Sequence, residues 1–174
     1  EAYRYALEAR SALEIACALG GLGDAYYQRG QMITARRHFA QCVQEARGEN
    51  LVGVLLANLP MLAITEIYFG APSAGREHLQ EALDLATRIG DLRNELLIYV
   101  CYCEGFLIQG QYGEARSRAL HALELARQLG ARRFQAECMG MLAGAMLGAS
   151  ERDEALRVAR ESVHISRECG MSYC

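Results

Sequence analysis

The chain has 174 residues, 52% hydrophobic and 22% charged, with a net charge of -3. That length and apolar share fit one domain with a real core and exclude intrinsic disorder. All 18 basic residues are Arg, and the slight net acidity excludes a basic nucleic-acid footprint.

The longest apolar run, Leu51 to Ile64, is interrupted by Asn58 and Pro60. It falls short of the roughly 18–20 residues that a membrane span needs. No basic segment followed by an apolar stretch marks a signal peptide. Glu1 opens inside an amphipathic pattern, so the chain reads as a section of a larger protein. Seven Cys is an odd count for a disulfide framework. The expectation is buried, reduced thiols and a cytoplasmic location. Cys101 and Cys103 are two apart on a helix and point about 200° apart, which is poor geometry for a shared metal.

The elements follow a ladder. Gly30, Gly70 and Gly110 are forty apart, and Ser150 continues the series. Asn50, Gly90, Gly130 and Gly170 form a second series offset by twenty. Residues of these types end helices and begin turns. Residues 1–9 read as the end of a helix, with Ala2 and Ala6 in the places of Ala82 and Ala86. Four helix pairs follow over 11–49, 50–90, 91–130 and 131–170, and the tail from Met171 begins another unit.

Within the first pair, Gly20-Gly21-Leu22-Gly23 lies inside a helix, so it is no phosphate-cradling loop. In the second, Pro60 should kink the first helix, and Pro72 fits the first turn of the next. Gly75, Leu79, Ala82, Leu83 and Ala86 then trace one helical face. The third pair repeats those offsets at Ala115, Ala119, Ala122, Leu123 and Ala126. The fourth repeats them at Ala155, Ala159, Ser162, Val163 and Ser166, with Ser150 and Asp153 resembling a capping box. No strand pattern competes. One pair cannot bury its apolar face, so the expected fold is all-α: four pairs stacked as a right-handed superhelix, with partial flanking helices.

Leu19, Leu22, Gly23, Tyr26, Gly30, Ala35 and Phe39 give the spacing L-x-x-L-G-x-x-Y-x-x-x-G, then Ala and Phe. This resembles the tetratricopeptide repeat signature. The other units match in part, through Leu59, Leu62 and Ala63, then Tyr99, Tyr102 and Phe106, then Met139, Leu142 and Ala143. The unit of forty exceeds the family's usual length. Long units of this kind resemble the helical-repeat regions of large bacterial signalling and transcriptional regulators.

The resemblance implies that the first helix of each pair lines a concave groove. Carried over to this chain, the groove holds Cys17, Gly20, Asp24, Tyr27 and Gln28 from the first unit. It holds Ala57, Pro60, Ile64, Ile67 and Tyr68 from the second, with Asn58 beside them. It holds Leu97, Val100, Glu104, Leu107 and Ile108 from the third. The fourth contributes Glu137, Gly140, Gly144, Leu147 and Gly148, and Arg93 and Arg133 stand at the rim. Ile64, Val100 and Leu107 read equally well as core, whereas Asp24, Glu104 and Glu137 should be exposed, because unpaired buried carboxylates are costly. Gly140, Gly144 and Gly148 form a strip for close approach, either by a partner backbone or within the stack.

With no Lys on the chain, a lysine-based clamp for a partner's C-terminus is excluded, as is a phosphate-binding loop. His38 and His78 are equivalent positions on a face expected to be solvated, and His121 and His164 also fall on second helices. No nucleophile–base arrangement emerges, so an enzyme is the least favoured class and neither cofactor nor metal is expected. Arg36-Arg37 and Arg132-Arg133 are too small for a nucleic-acid surface. The leading expectation is a cytoplasmic interaction scaffold that binds a protein or peptide segment in the groove. The competing ones are a sensor of a small molecule or short peptide, and self-association through open repeat ends.

Overall fold

A computed structural model describes residues 11–171. The stretch 1–9 and all of the last unit after Met171 lie outside the described residues. Eight helices run α1 Ala12–Gln28, α2 Met32–Gly48, α3 Val52–Tyr68, α4 Pro72–Ile89, α5 Leu92–Ile108, α6 Tyr112–Gln128, α7 Arg132–Gly148 and α8 Arg152–Glu168. Among the described residues there is no strand.

Every ladder position has left-handed backbone, including the two that are not glycine, Asn50 at φ 52° and Ser150 at φ 68°. Each such residue closes a helix. After α1, the Gly30 N–H donates to the Tyr27 carbonyl and the Gln31 N–H to the Tyr26 carbonyl, both at 2.9 Å. The same double bond pattern ends α2, α3, α5, α6, α7 and α8. It satisfies carbonyls that a helix end would otherwise leave free. Ser150 is therefore a turn residue and not a capping-box residue. The position before α8 belongs to Glu151, whose side chain makes no cap. Side-chain caps occur at Ser11 and Asp91, which accept from the N–H groups of Glu14 and Asn94.

The contacts fall into two compact units, divided between Ile89 and Gly90. In the first, α1 packs on α2, α2 on α3 and α3 on α4, and α1 also touches α3. In the second, α5 to α8 repeat that order, with α5 touching α7. Each unit is thus two helical hairpins, one stacked on the other.

Repeat-equivalent positions do equivalent work. The Cys42 thiol donates to the Ala16 carbonyl at 3.1 Å, and Ser162 Oγ donates to the Ala136 carbonyl at 2.7 Å. Both bonds tie the second helix of a hairpin to the first, 120 residues apart. Close approach relies on missing side chains. A Cβ on Gly23 would lie 2.5 Å from the fully buried Phe39 ring, and one on Gly20 would lie 2.5 Å from Asn58 Oδ1. Pro60 sits inside an unbroken α3 and is buried there. Its ring removes the N–H that would have reached the Leu56 carbonyl.

Three stability effects follow. Replacing Ser150 by Gly should raise unfolding free energy by about 1 kcal/mol, because a side chain in left-handed backbone is strained. Gly23→Ala should lose about 1–3 kcal/mol by overpacking against Phe39. Gly21→Ala, where a Cβ meets nothing within 4 Å, should gain about 0.5–1 kcal/mol. Urea unfolding of the three variants measures all of these.

Candidate functional site

The first helix of each hairpin carries the candidate surface, and the two units are taken separately. In the first unit, Asp24 lies on an exposed stretch of α1, where partial burial raises its carboxyl above the usual 3.8. Tyr27 is half-buried, and Tyr68 is 49% exposed at the end of α3. Asn58 and Ile64 are buried. Asn58 covers Gly20 and donates from Nδ2 to the Val54 carbonyl at 2.8 Å, which is a packing role. Ile64 belongs to the core of α3, a helix with buried residues on every side.

In the second unit, Val100 is buried and joins the core, while Ile108 is 41% exposed and Leu107 half-buried. Arg93 and Arg133 are exposed, and the Arg133 guanidinium lies over the Phe134 ring at 5.8 Å. Glu104 and Glu137, expected to be exposed, are half-buried instead. They lie on α5 and α7, which touch, so both carboxylates come within electrostatic reach of the Cys101 thiol. Burial, then Glu104 and Glu137, push that thiol far up. Burial likewise raises the Glu137 carboxyl above 4.5, and Arg133 opposes it in part. Burial thus disfavours the charged form of Glu137 by more than Arg133 restores it.

The glycine strip divides. Gly148 lies under the Tyr112 ring, 2.3 Å from where its Cβ would stand, so this glycine serves packing. Gly144 is open, with nothing within 4 Å, and a Cβ on Gly140 would meet only Ser162 Oγ at 3.5 Å.

The histidines also differ from expectation. His38 and His78 are half-buried, not solvated. His38 stacks on Tyr26 with ring centres 5.4 Å apart. Burial, then the Arg47 charge, lower the His78 pKa below 6.5, against the pull of Glu81, Glu66 and Glu77. His121 meets the Tyr99 ring at 4.2 Å. Beside it the Arg118 guanidinium lies over Tyr99 and Tyr102 at 6.0 and 5.4 Å. Sequence reasoning missed this cation–π cluster, although Tyr99 and Tyr102 stood out as repeat positions.

Four cysteine thiols rise through burial: Cys42 to about 11, Cys103 and Cys138 to about 12, and Cys101 further. They stay protonated and are poor nucleophiles and poor metal ligands. Among the described residues, no group of three His, Cys, Asp or Glu side chains is placed to hold a metal ion. No helix there is long and apolar enough to cross a membrane. Compared with known proteins, the chain matches no family model and no curated protein.

The Glu137 carboxyl gives a pH signature. Its folded pKa lies above its unfolded value, so the native state binds the proton more tightly. Stability from this group is full below about 4.5 and is lost as pH rises through the folded pKa. Glu137→Gln should therefore be more stable than the parent near neutrality, and the difference should close in acid. Urea titrations at both ends of the range read it out; an equal difference at both would reject it.

Proposed function

We propose that the chain is a non-catalytic interaction scaffold, the tetratricopeptide-like part of a larger regulator, and that it binds helical protein segments. The observation that carries this reading is on the first helices. Tyr68 and Ile108 stand forty residues apart at one repeat position and are both exposed large apolar side chains. Each unit thus offers an apolar contact at the end of its own inner helix. In the second unit, Glu104 on α5 and Glu137 on the adjoining α7 both act on the Cys101 thiol of α5. A cation brought by a partner would add to the stabilisation that Arg133 gives the Glu137 carboxylate. An amphipathic helix with basic flanks fits this combination.

The resemblance to long-unit repeats supports a role inside a signalling or transcriptional regulator at a cytoplasmic site. Within each unit the two stacked hairpins supply the frame, and specificity would rest on the side chains displayed by it.

The test uses fluorescence anisotropy with synthetic amphipathic helical peptides. A peptide with Arg-rich flanks should bind, and Glu104→Gln with Glu137→Gln should weaken it about tenfold. Ile108→Asp should weaken it as well. Equal affinity for parent and variants, or no binding, would remove this reading of the inner face.

A further inference from the structure

The edge of the first unit, where α1 turns into α2 and α3 into α4, carries charge that the repeat does not require. Residues 28–37 and 68–77 hold Arg29, Arg36, Arg37 and Arg76 against Glu77 alone, a local net of +3. The repeat-equivalent 108–117 and 148–157 hold Arg116, Arg152 and Arg157 against Glu114, Glu151, Asp153 and Glu154, a net of -1. The whole chain is net -3. Helix starts sharpen the contrast. The first turns of α2 and α4 hold no acid, whereas α6 has Glu114 and α8 has Asp153 and Glu154 against the positive end of the helix dipole. Among the described residues, Arg29 and Arg37 have no carboxylate partner.

Two large apolar side chains stand within this charge. Ile33 is 67% exposed and Phe69 42%. The repeat positions of Ile33 elsewhere hold Ser73, Gly113 and Asp153, and those of Phe69 hold Arg29, Gln109 and Ala149. The stack therefore folds without a large apolar residue at either place. The structure brings both turns together. Arg36 Nε meets Glu66 Oε1 at 2.9 Å, and its guanidinium lies over the Phe69 ring at 5.6 Å. Ile33 precedes Arg36 by three residues and Arg37 by four, so all three share one face of α2. A depression of about 340 Å³ beside Ile33 is lined by Gly30, Gln31, Met32 and Thr34, with room for one apolar side chain.

We propose that this turn edge docks an acidic segment of a partner protein, one that carries a large apolar residue among its carboxylates. The segment's acids meet Arg29 and Arg37, and its apolar residue packs on Ile33 and Phe69. This goes beyond the inner-face reading, because it uses other residues and the opposite charge, and it stands or falls separately. The edge is not a stacking surface. Hairpins stack through their helices, and Gly30, Gly70, Gly110 and Ser150 stay exposed in both units. Other occupants fit less well. A bilayer would set anionic lipid against a chain of net -3, whereas a segment meets the patch alone. In a second copy, the acidic turn at 148–157 already has Glu151 paired with Arg116 and Glu154 with Arg157.

The test is fluorescence anisotropy with two synthetic peptides. Both carry Phe and Leu; one has Glu and Asp around them, and the other has Gln and Asn instead. The acidic peptide should bind the parent protein, and added salt should weaken it. Ile33→Ser with Phe69→Gln should reduce its affinity about tenfold, and so should Arg29→Gln with Arg37→Ser. Every one of these replacements is a residue that another repeat already carries at that position, so thermal melting should be unchanged. Glu104→Gln with Glu137→Gln should leave this binding intact, which separates it from the inner face. No binding, equal affinity for both peptides, or affinity that survives either pair of substitutions would overturn the proposal. So would pelleting with phosphatidylserine-containing vesicles that Ile33→Ser with Phe69→Gln abolishes, since the occupant would then be lipid. A dimer in light scattering that the same variant dissociates would assign the edge to a second copy and overturn it too.

Discussion

The structure depends on one backbone constraint repeated every twenty residues. A left-handed residue follows each described helix, and after all but α4 its own N–H and the next one bond back onto the helix's last turn. Because the stops are evenly spaced, nearly all helices have seventeen residues. Equal helices joined by equal turns keep positions forty apart in equivalent surroundings. This is why Cys42 and Ser162 reach the carbonyls of Ala16 and Ala136, although one is a thiol and the other a hydroxyl. Register is set locally, and packing then selects which side chains can occupy each register position.

That local origin explains what the sequence made legible. Helix ends could be read because left-handed backbone favours Gly and Asn so strongly. Ser150 was harder, since serine suits both a turn and a helix start, and only the ladder distinguishes them. Inner-face exposure was not legible in the same way. A first helix is packed by its own partner and by the hairpin before or after it, so α3 buries Asn58, Ile64 and Glu66 as well as its leucines. Amphipathic counting assumes one buried side and therefore assigned Ile64 and Val100 to either groove or core. His38 and His78 failed for a related reason: aromatic or charged neighbours half-cover a face that periodicity alone calls polar. The Glu104–Glu137 pairing was invisible because the two are 33 apart and not repeat-equivalent.

The long-range ion pairs add direction to an otherwise repetitive stack. In Arg36–Glu66, Arg47–Glu81, Arg116–Glu151 and Arg132–Glu168, the Arg precedes the Glu in sequence. Most of these side chains are well exposed, so each pair contributes only about 0–1 kcal/mol. Their effect on stability is small beside that of the buried apolar contacts. Their effect on matching is larger, because a wrong register places cation against cation. Glu66 is the exception in exposure, with its side chain 11% accessible, and there the Arg36 charge also limits the cost of burying a carboxylate.

Within each unit, the first hairpin presents Arg from its second helix and the second hairpin presents the carboxylates that answer it. Where both meet inside a unit, the charges cancel and the apolar ridge closes the gap.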